Sequence, residues 1–232
     1  MTVVSQRKTK GWHSLQESWP ECLRKVLAAR NIKNEQDSSY ALSELPSPEL
    51  LMGMEQAVDL LHQALQKQWH IMIVADFDAD GATSCALAIR GLQAMGAKRI
   101  DYIVPNRFVH GYGLTPELLA DIDTDNQPDL LITVDNGIAS ITGVKQAHQR
   151  GIKVLVTDHH LPADTLPEAE AIVNPNQYGD RFPSKNLAGV GVFFYVLMGL
   201  RQHLRQQQWF QKQLIEEPKL VDLIDLVALG TV

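Results

Sequence analysis

The sequence has little cysteine, no apolar run of membrane length and no surplus of positive charge. Only Cys22 and Cys85 occur among 232 residues. They stand far apart and in no metal-binding spacing, which excludes a thiolate metal site and suits a reducing cytoplasm. The longest apolar stretch, "LAGVGVFFYVLMGL" at 187–200, falls short of the roughly 20 residues that a spanning helix needs. It reads as a buried helix, and no membrane partner is expected. The opening "MTVVSQRKTKGW" lacks the apolar core of a secretory signal, so the expected location is cytoplasmic. With 21 Lys and Arg against 27 Asp and Glu, the formal net charge is −6. That excludes a generally basic nucleic-acid coat but leaves room for a local basic groove. Trp12, Trp19, Trp69 and Trp209 form no base-binding pattern, and no internal repeat or low-complexity tract is visible.

What is present is an ordinary globular composition, 45% hydrophobic, with length for one large α/β domain or two small ones. Residues 1–19, with Arg7, Lys8 and Lys10, read as a loose arm. Residues 23–30 and 48–68 have helical spacing, separated by the turn-forming stretch "NEQDSSYALSELPSP". From residue 70 the pattern changes. "HIMIVA", "IDYIVP", "DLLITVDNG", "IKVLVTDHH" and "AEAIVNPN" are short, β-branched and apolar nearly throughout, as strands buried on both faces are. Helical stretches at 82–95, 115–122 and 139–150 separate several of them, which predicts an α/β fold with a parallel sheet and crossover helices. The division expected is an arm and helical extension at 1–69 followed by a sheet domain at 70–232.

Polar residues bunch just after these strands: Asp76, Asp78 and Asp80; Asn106 and Arg107; Asp135 and Asn136; Asp158, His159 and His160; Asn174 and Asn176. The carboxyl ends of parallel strands lie on one edge, where ligands bind. The first bunch, "DFDADG", sets three carboxylates close together, and their repulsion calls for a cation. It satisfies the first half of an EF-hand loop, but the required glutamate falls on Leu87, and a strand rather than a helix precedes it. It also fits a phosphatase pattern with Asp76 as nucleophile and Asp78 as acid. That pattern has Thr or Val where Asp80 stands, and its later lysine and acidic pair have no counterpart. Solvated turn aspartates are the plainest alternative. "VTDHHLP" argues against it by adding two imidazoles and a carboxylate on the same edge, and "ITVDNG" adds Asp135. Carboxylates with imidazole and no thiolate suit Mn²⁺ or Mg²⁺ better than structural zinc. Two such ions can clamp a phosphoryl displacement, so phosphate-ester hydrolysis is the chemistry suggested.

"DFDADGATS", "VPNRF…GYGL", "ITVDNGI", "VTDHHLP", "IVNPN" and "LAGVGVFFY", in this order from about Pro46 to Val232, resemble the DHH phosphoesterase superfamily. Within it they are most similar to the bacterial single-strand-specific exonucleases. The resemblance implies a parallel five-stranded Rossmann-like sheet flanked by helices, with manganese as cofactor and two ions in the complete enzyme. It implies that Asp76, Asp78 and Asp80 bind metal, that Asp135 bridges the ions and that His159 is a direct ligand. His160 would stand beside the scissile phosphate, with Asp158 and Asn136 behind these groups. Catalysis would fall to Asp76, Asp135 and His160. Arg107 would receive the 5′ phosphate, its guanidinium matching phosphate oxygens as a fork. Asn186, Gly189 and Gly191 open a long helix whose free N–H groups would face phosphate, although close helix packing explains those glycines as well. Tyr112 is either a stacking or a structural residue. The reaction implied is 5′→3′ removal of mononucleotides from single-stranded DNA in recombination and repair, beside a single-strand-binding protein and a helicase.

Two positions depart from the family pattern. Ala75 stands where glycine is usual, which matters if that backbone needs positive φ. Val109 and His110 replace acidic residues in a loop. The chain stops at "LVALGTV", where the family continues with an Ala-Asp that supplies a fourth metal-binding motif, then a second domain and a nucleic-acid-binding barrel. The expectation is therefore an N-terminal piece holding half a cleft, weakly active or inactive. The alternatives are a catalytically dead metal-binding domain and a relative acting on short oligonucleotides or cyclic dinucleotides.

Overall fold

The computed structural model describes residues 10–34, 37, 39 and 41–232. They fall into two compact units, divided between Pro46 and Ser47. In the first, Trp12–Ser14 forms a 3-10 turn and Glu21–Ala29 forms helix α1. Arg24 and Lys25 of α1 lie over the Trp12 ring, 5.1 and 5.0 Å from its centroid. Trp12 is therefore tied to α1, because cation–π attraction holds both cations on the indole face. Arg7 and Lys8 lie outside the described residues.

The second unit contains α2 (Met54–Lys67), β1 (Ile71–Ala75), α3 (Ala79–Ala94), β2 (Ile100–Ile103), α4 (Pro116–Ala120) and β3 (Leu130–Val134). It continues with α5 (Ile141–Gln149), β4 (Lys153–Thr157), β5 (Ala171–Val173), α6 (Gly189–Gln206), α7 (Trp209–Gln213) and α8 (Ile224–Thr231). The five strands form one parallel sheet in the order β2-β1-β3-β4-β5. Helix α2 packs on β5 and α6, so the sheet-bearing unit begins at Ser47. The boundary expected at 69/70 is where the strand pattern starts, inside this compact unit.

Side chains alternate between two cores with the period of a strand. Ile71, Ile73, Ala75, Leu130, Ile132, Val134, Leu155, Ala171 and Val173 face one core with α2, α3 and α6. Met72, Val74, Leu131, Val154 and Val156 face the other with α4 and α5. The three inner strands are buried on both faces, as their apolar runs require. Strand β2, at one edge of the sheet, is not: Asp101 and Tyr102 are exposed. The apolar stretch at 187–200 lies within α6, which is buried along most of its length. No helix among the described residues is long and apolar enough to cross a membrane.

Strand order reverses between β1 and β3, since β1 leads to one side of the sheet and β3 to the other. The crevice outside the carboxyl ends at such a switch point is where α/β sheets bind ligands. Asn136 pins it: Nδ2 donates to the carbonyls of Val74 and Val134 at 3.0 and 2.9 Å. Ala75 belongs to β1 and has no positive φ, so alanine is no strain there.

Cys85 on α3 is buried, and burial pushes its thiol up to about 11. Cys22 is exposed. One thiol per chain is therefore expected to react promptly with a disulfide reagent near pH 8, and the second only after denaturation. Two promptly reacting thiols would contradict the packing of α3.

Candidate metal centre

Asp76, Asp135 and Asp158 are each the first residue past a strand, and each N–H still bonds to the neighbouring strand. Asp76 N donates to Val134 O at 3.4 Å, Asp135 N to Thr157 O at 3.1 Å and Asp158 N to Val173 O at 3.1 Å. The sheet's own ladder thus lines three buried carboxylates along the carboxyl edge. Asp135 sits in the left-handed region, with φ of 61°, a conformation that aspartate tolerates better than most residues and that collects at functional sites.

Two groups of potential ligand atoms form here, each with all its atoms within 4.8 Å of one another: Asp76, Asp78 and Asp135, and Asp135, His159 and His160. Asp135 belongs to both. Its Oδ1 is buried and has no partner in hydrogen-bond alignment, although His159 Nε2 lies 3.1 Å away. Burial pushes the Asp135 carboxyl up to about 6, with the charges of Asp80 and Asp78 adding to the effect. Burial also raises Asp76, and the charge of Asp78 adds to it. The Asp135 carboxylate raises His159 against its own burial. A buried carboxylate oxygen with only an imidazole nitrogen beside it, among hard donors that repel one another, fits a divalent cation.

Asp78 caps α3 by accepting from Gly81 N at 2.9 Å. Asp80 accepts from Gly189 N and Val190 N, both at 2.7 Å, and its Oδ2 stands 3.8 Å from His159 Nε2. These bonds alter two expectations. The first N–H groups of α6 are not open to phosphate, because Asp80 already occupies them. Gly189 is required for another reason: a Cβ there would lie 2.5 Å from Asp135 Oδ1. A Cβ at Gly191 would meet the Leu187 side chain at 2.7 Å, which is helix packing. Asn186 is exposed and precedes the helix. Asp80 Oδ1 also accepts from Ser84 Oγ at 3.4 Å, while Oδ2 keeps a lone pair and stays beside the centre.

Asp158 grips the histidine turn. Its Oδ1 accepts from His159 N at 2.7 Å and His160 N at 3.1 Å and lies 2.7 Å from His160 Nδ1, while Oδ2 accepts from Ile138 N at 2.9 Å. Burial alone would raise Asp158, but its bonds to His160 and Ile138 outweigh it and hold the carboxyl low. The same carboxylate pushes His160 up to about 9. Arg107 stands over the Phe77 ring, 4.6 Å from its centroid, and is exposed. It therefore borders the centre through the residue after Asp76. Tyr112, half exposed, donates to Asp135 O at 3.1 Å, and burial raises its hydroxyl, with the charges of Asp76, Asp158 and Asp135 adding to the effect. His110 lies 2.8 Å from Asp121 and accepts from Asn106 N at 3.0 Å, so the loop carrying Arg107 is folded on itself. Asn174 and Asn176, which the strand-end pattern puts on this edge without a role, donate to the carbonyls of His160 and His159.

A doubly wound parallel sheet with carboxylates and imidazoles converging at its switch point defines a metal-binding α/β domain. The chain belongs to the DHH family: the model of that family's N-terminal domain matches residues 70–231. It is 50% identical over its whole length to the single-stranded-DNA-specific exonuclease RecJ of Dickeya dadantii, covering 40% of that protein. It is 49% identical over 92% of its length to RecJ of Escherichia coli, covering 37% of it. The chain thus spans about two-fifths of the length of these relatives. Among solved structures, RecJ of Thermus thermophilus in complex with Mn²⁺ matches 99% of this chain and 31% of its own, with TM-score 0.70 and 29% identity. A manganese-bound exonuclease RecJ matches 78% of this chain and 43% of its own, with TM-score 0.65 and 33% identity.

Two outcomes test this geometry. Gly189→Ala is expected to push Asp135 aside, lowering stability by about 1–3 kcal/mol and weakening Mn²⁺ binding; an unchanged Mn²⁺ affinity would contradict the close approach. In metal-free protein, the raised His160 contributes stability that is complete below the ordinary imidazole value of about 6.5 and is lost as pH rises through about 9. The melting-temperature gap between wild type and His160→Asn is therefore expected to be widest near pH 6 and to close by about pH 9.5. A constant gap would show that the Asp158–His160 pair is not charged in the folded state.

Proposed function

We propose that this domain supplies metal ligands and catalytic side chains for hydrolysis of phosphodiester bonds at the 5′ end of single-stranded DNA. The observation that carries the reading is Asp135: shared by two potential ligand groups, buried, and with Oδ1 lacking an aligned partner. The single-stranded-DNA-specific exonucleases it resembles support the choice of substrate. In this reading Asp76, Asp78, Asp80, Asp135 and His159 hold Mn²⁺ or Mg²⁺. When bound, such ions supply Lewis acidity toward phosphate oxygens and water.

The remaining roles belong to side chains. His160, kept cationic by Asp158, faces the scissile phosphate as a charge partner and proton donor for the leaving oxygen. Tyr112 fixes the backbone of Asp135 and flanks His160. Arg107, steadied on Phe77, receives the 5′ phosphate as a fork of donors. Asn136 keeps β1 and β3 in register behind the ligands. The protein works in the cytoplasm, where a helicase and a single-strand-binding protein present the strand.

The test is Mn²⁺-dependent release of mononucleotides from a 5′-labelled single strand, alongside Mn²⁺ binding to the protein. The expected result is tight Mn²⁺ binding and slow release, both reduced at least about 100-fold by Asp135→Ala. Absence of Mn²⁺ binding, or release indifferent to Asp135→Ala, would overturn the assignment.

A further inference from the structure

The turn after β4 carries His159 and His160, and Asp158 grips it by its N–H groups. Its carbonyl side is held from a different strand. Asn174 Nδ2 donates to His160 O at 2.9 Å and Asn176 Nδ2 donates to His159 O at 2.5 Å. Both residues follow β5, and they brace each other: Asn174 Oδ1 accepts from Asn176 N at 2.8 Å. Asn174 is fully buried, so its amide has no exchange with water to fall back on.

The brace is itself anchored. Gln177 Nε2 donates to Asn174 O at 3.3 Å, and Lys185 Nζ donates to Pro175 O at 2.5 Å. Lys185 also pairs with Asp180 Oδ1 at 2.9 Å, and Asp180 Oδ2 accepts from Met52 N, ahead of α2, at 2.7 Å. Lysine, aspartate and two asparagine amides thus link the entry to α2 with the backbone of the histidine pair. A β5 loop that merely closed a chain reversal would not need two amides aimed at two successive carbonyls of one turn.

We infer that Asn174 and Asn176 are positioning residues that fix the His159 imidazole for a divalent cation, and the His160 imidazole beside it, by clamping the carbonyl side of their turn. The inference rests on the reading of the centre as a metal site. Asp158 holds the N–H side and the amides hold the C=O side, so the turn cannot rotate about either edge. Groups behind the ligands that hold them in this way set metal affinity as well as orientation.

The experiment uses the whole chain, with Asn176→Ala as the main variant because Asn176 is partly exposed, and Asn174→Ser as the second. Free Mn²⁺ is followed by its electron paramagnetic resonance, and the His159 and His160 ring signals are followed by NMR in metal-free protein. Asn176→Ala is expected to weaken Mn²⁺ binding about 10–100-fold, to shift or broaden both ring signals, and to leave the metal-free melting temperature nearly unchanged. Asn176→Gln, which keeps the amide donor, is expected to recover part of the affinity. Wild-type affinity and ring signals in both Asn176→Ala and Asn174→Ser would overturn the inference. If wild type itself binds no Mn²⁺, the metal reading fails separately. The ring signals then decide the clamp alone: displaced signals in Asn176→Ala uphold it, and unchanged signals refute it.

Discussion

The structure depends on a repulsion that the sheet does not relieve. Asp76 and Asp135 are buried side by side at the ends of β1 and β3, with Asp78 and Asp80 close enough to add to their charge. Burial and like charge both favour protonation, and the carboxyl of Asp135 is accordingly raised to about 6. A fold that only needed these positions filled would carry neutral residues there. The ladder hydrogen bonds of Asp76 and Asp135 force the two carboxylates together, so the energy that would drive them apart is available to a cation instead.

The rest of the unit holds that tension in place. Asp80 takes the first two N–H groups of α6, where a carboxylate is favoured by the helix dipole. The longest helix is thereby fixed against the centre, and Gly189 lets it approach Asp135 without a side chain between them. Asp158, although buried, stays ionised because the His160 ring and three backbone N–H groups satisfy it. The three aspartates after β1 therefore do different things. Asp76 is buried at the strand end, Asp78 caps α3 and Asp80 caps α6.

This division explains how far residue patterns could lead. Five strands and the edge carrying the acidic clusters were legible because apolar β-branched runs followed by polar residues report both burial and direction. "IDYI" misled because a run of four says nothing about whether a strand has one neighbour or two. Asp76, Asp78, Asp135 and the two histidines could be grouped because motifs at strand ends converge in any parallel sheet. Gly189 and Gly191 could not be assigned from sequence, since small residues at a helix start serve packing and anion binding equally. Only the placement of Asp80 and Asp135 separates the two. The amides of Asn174 and Asn176 were visible as residues, but their targets are main-chain carbonyls, which carry no sequence signature.

Charge also sets an order of events. A phosphodiester is an anion, and the ligand groups at the switch point are mostly carboxylates, with the cationic side chains Arg107 and His160 at their border. Without metal, the field at the ligands opposes a phosphate, and the net charge of −6 does nothing to offset it. Divalent ions held there would offset the charge of the centre, with Arg107 and His160 adding positive charge at its border. If the proposed substrate is right, metal binding would precede phosphodiester binding at this centre. The carboxylates that repel an anion from the metal-free centre are the same groups that would hold the cations to attract one.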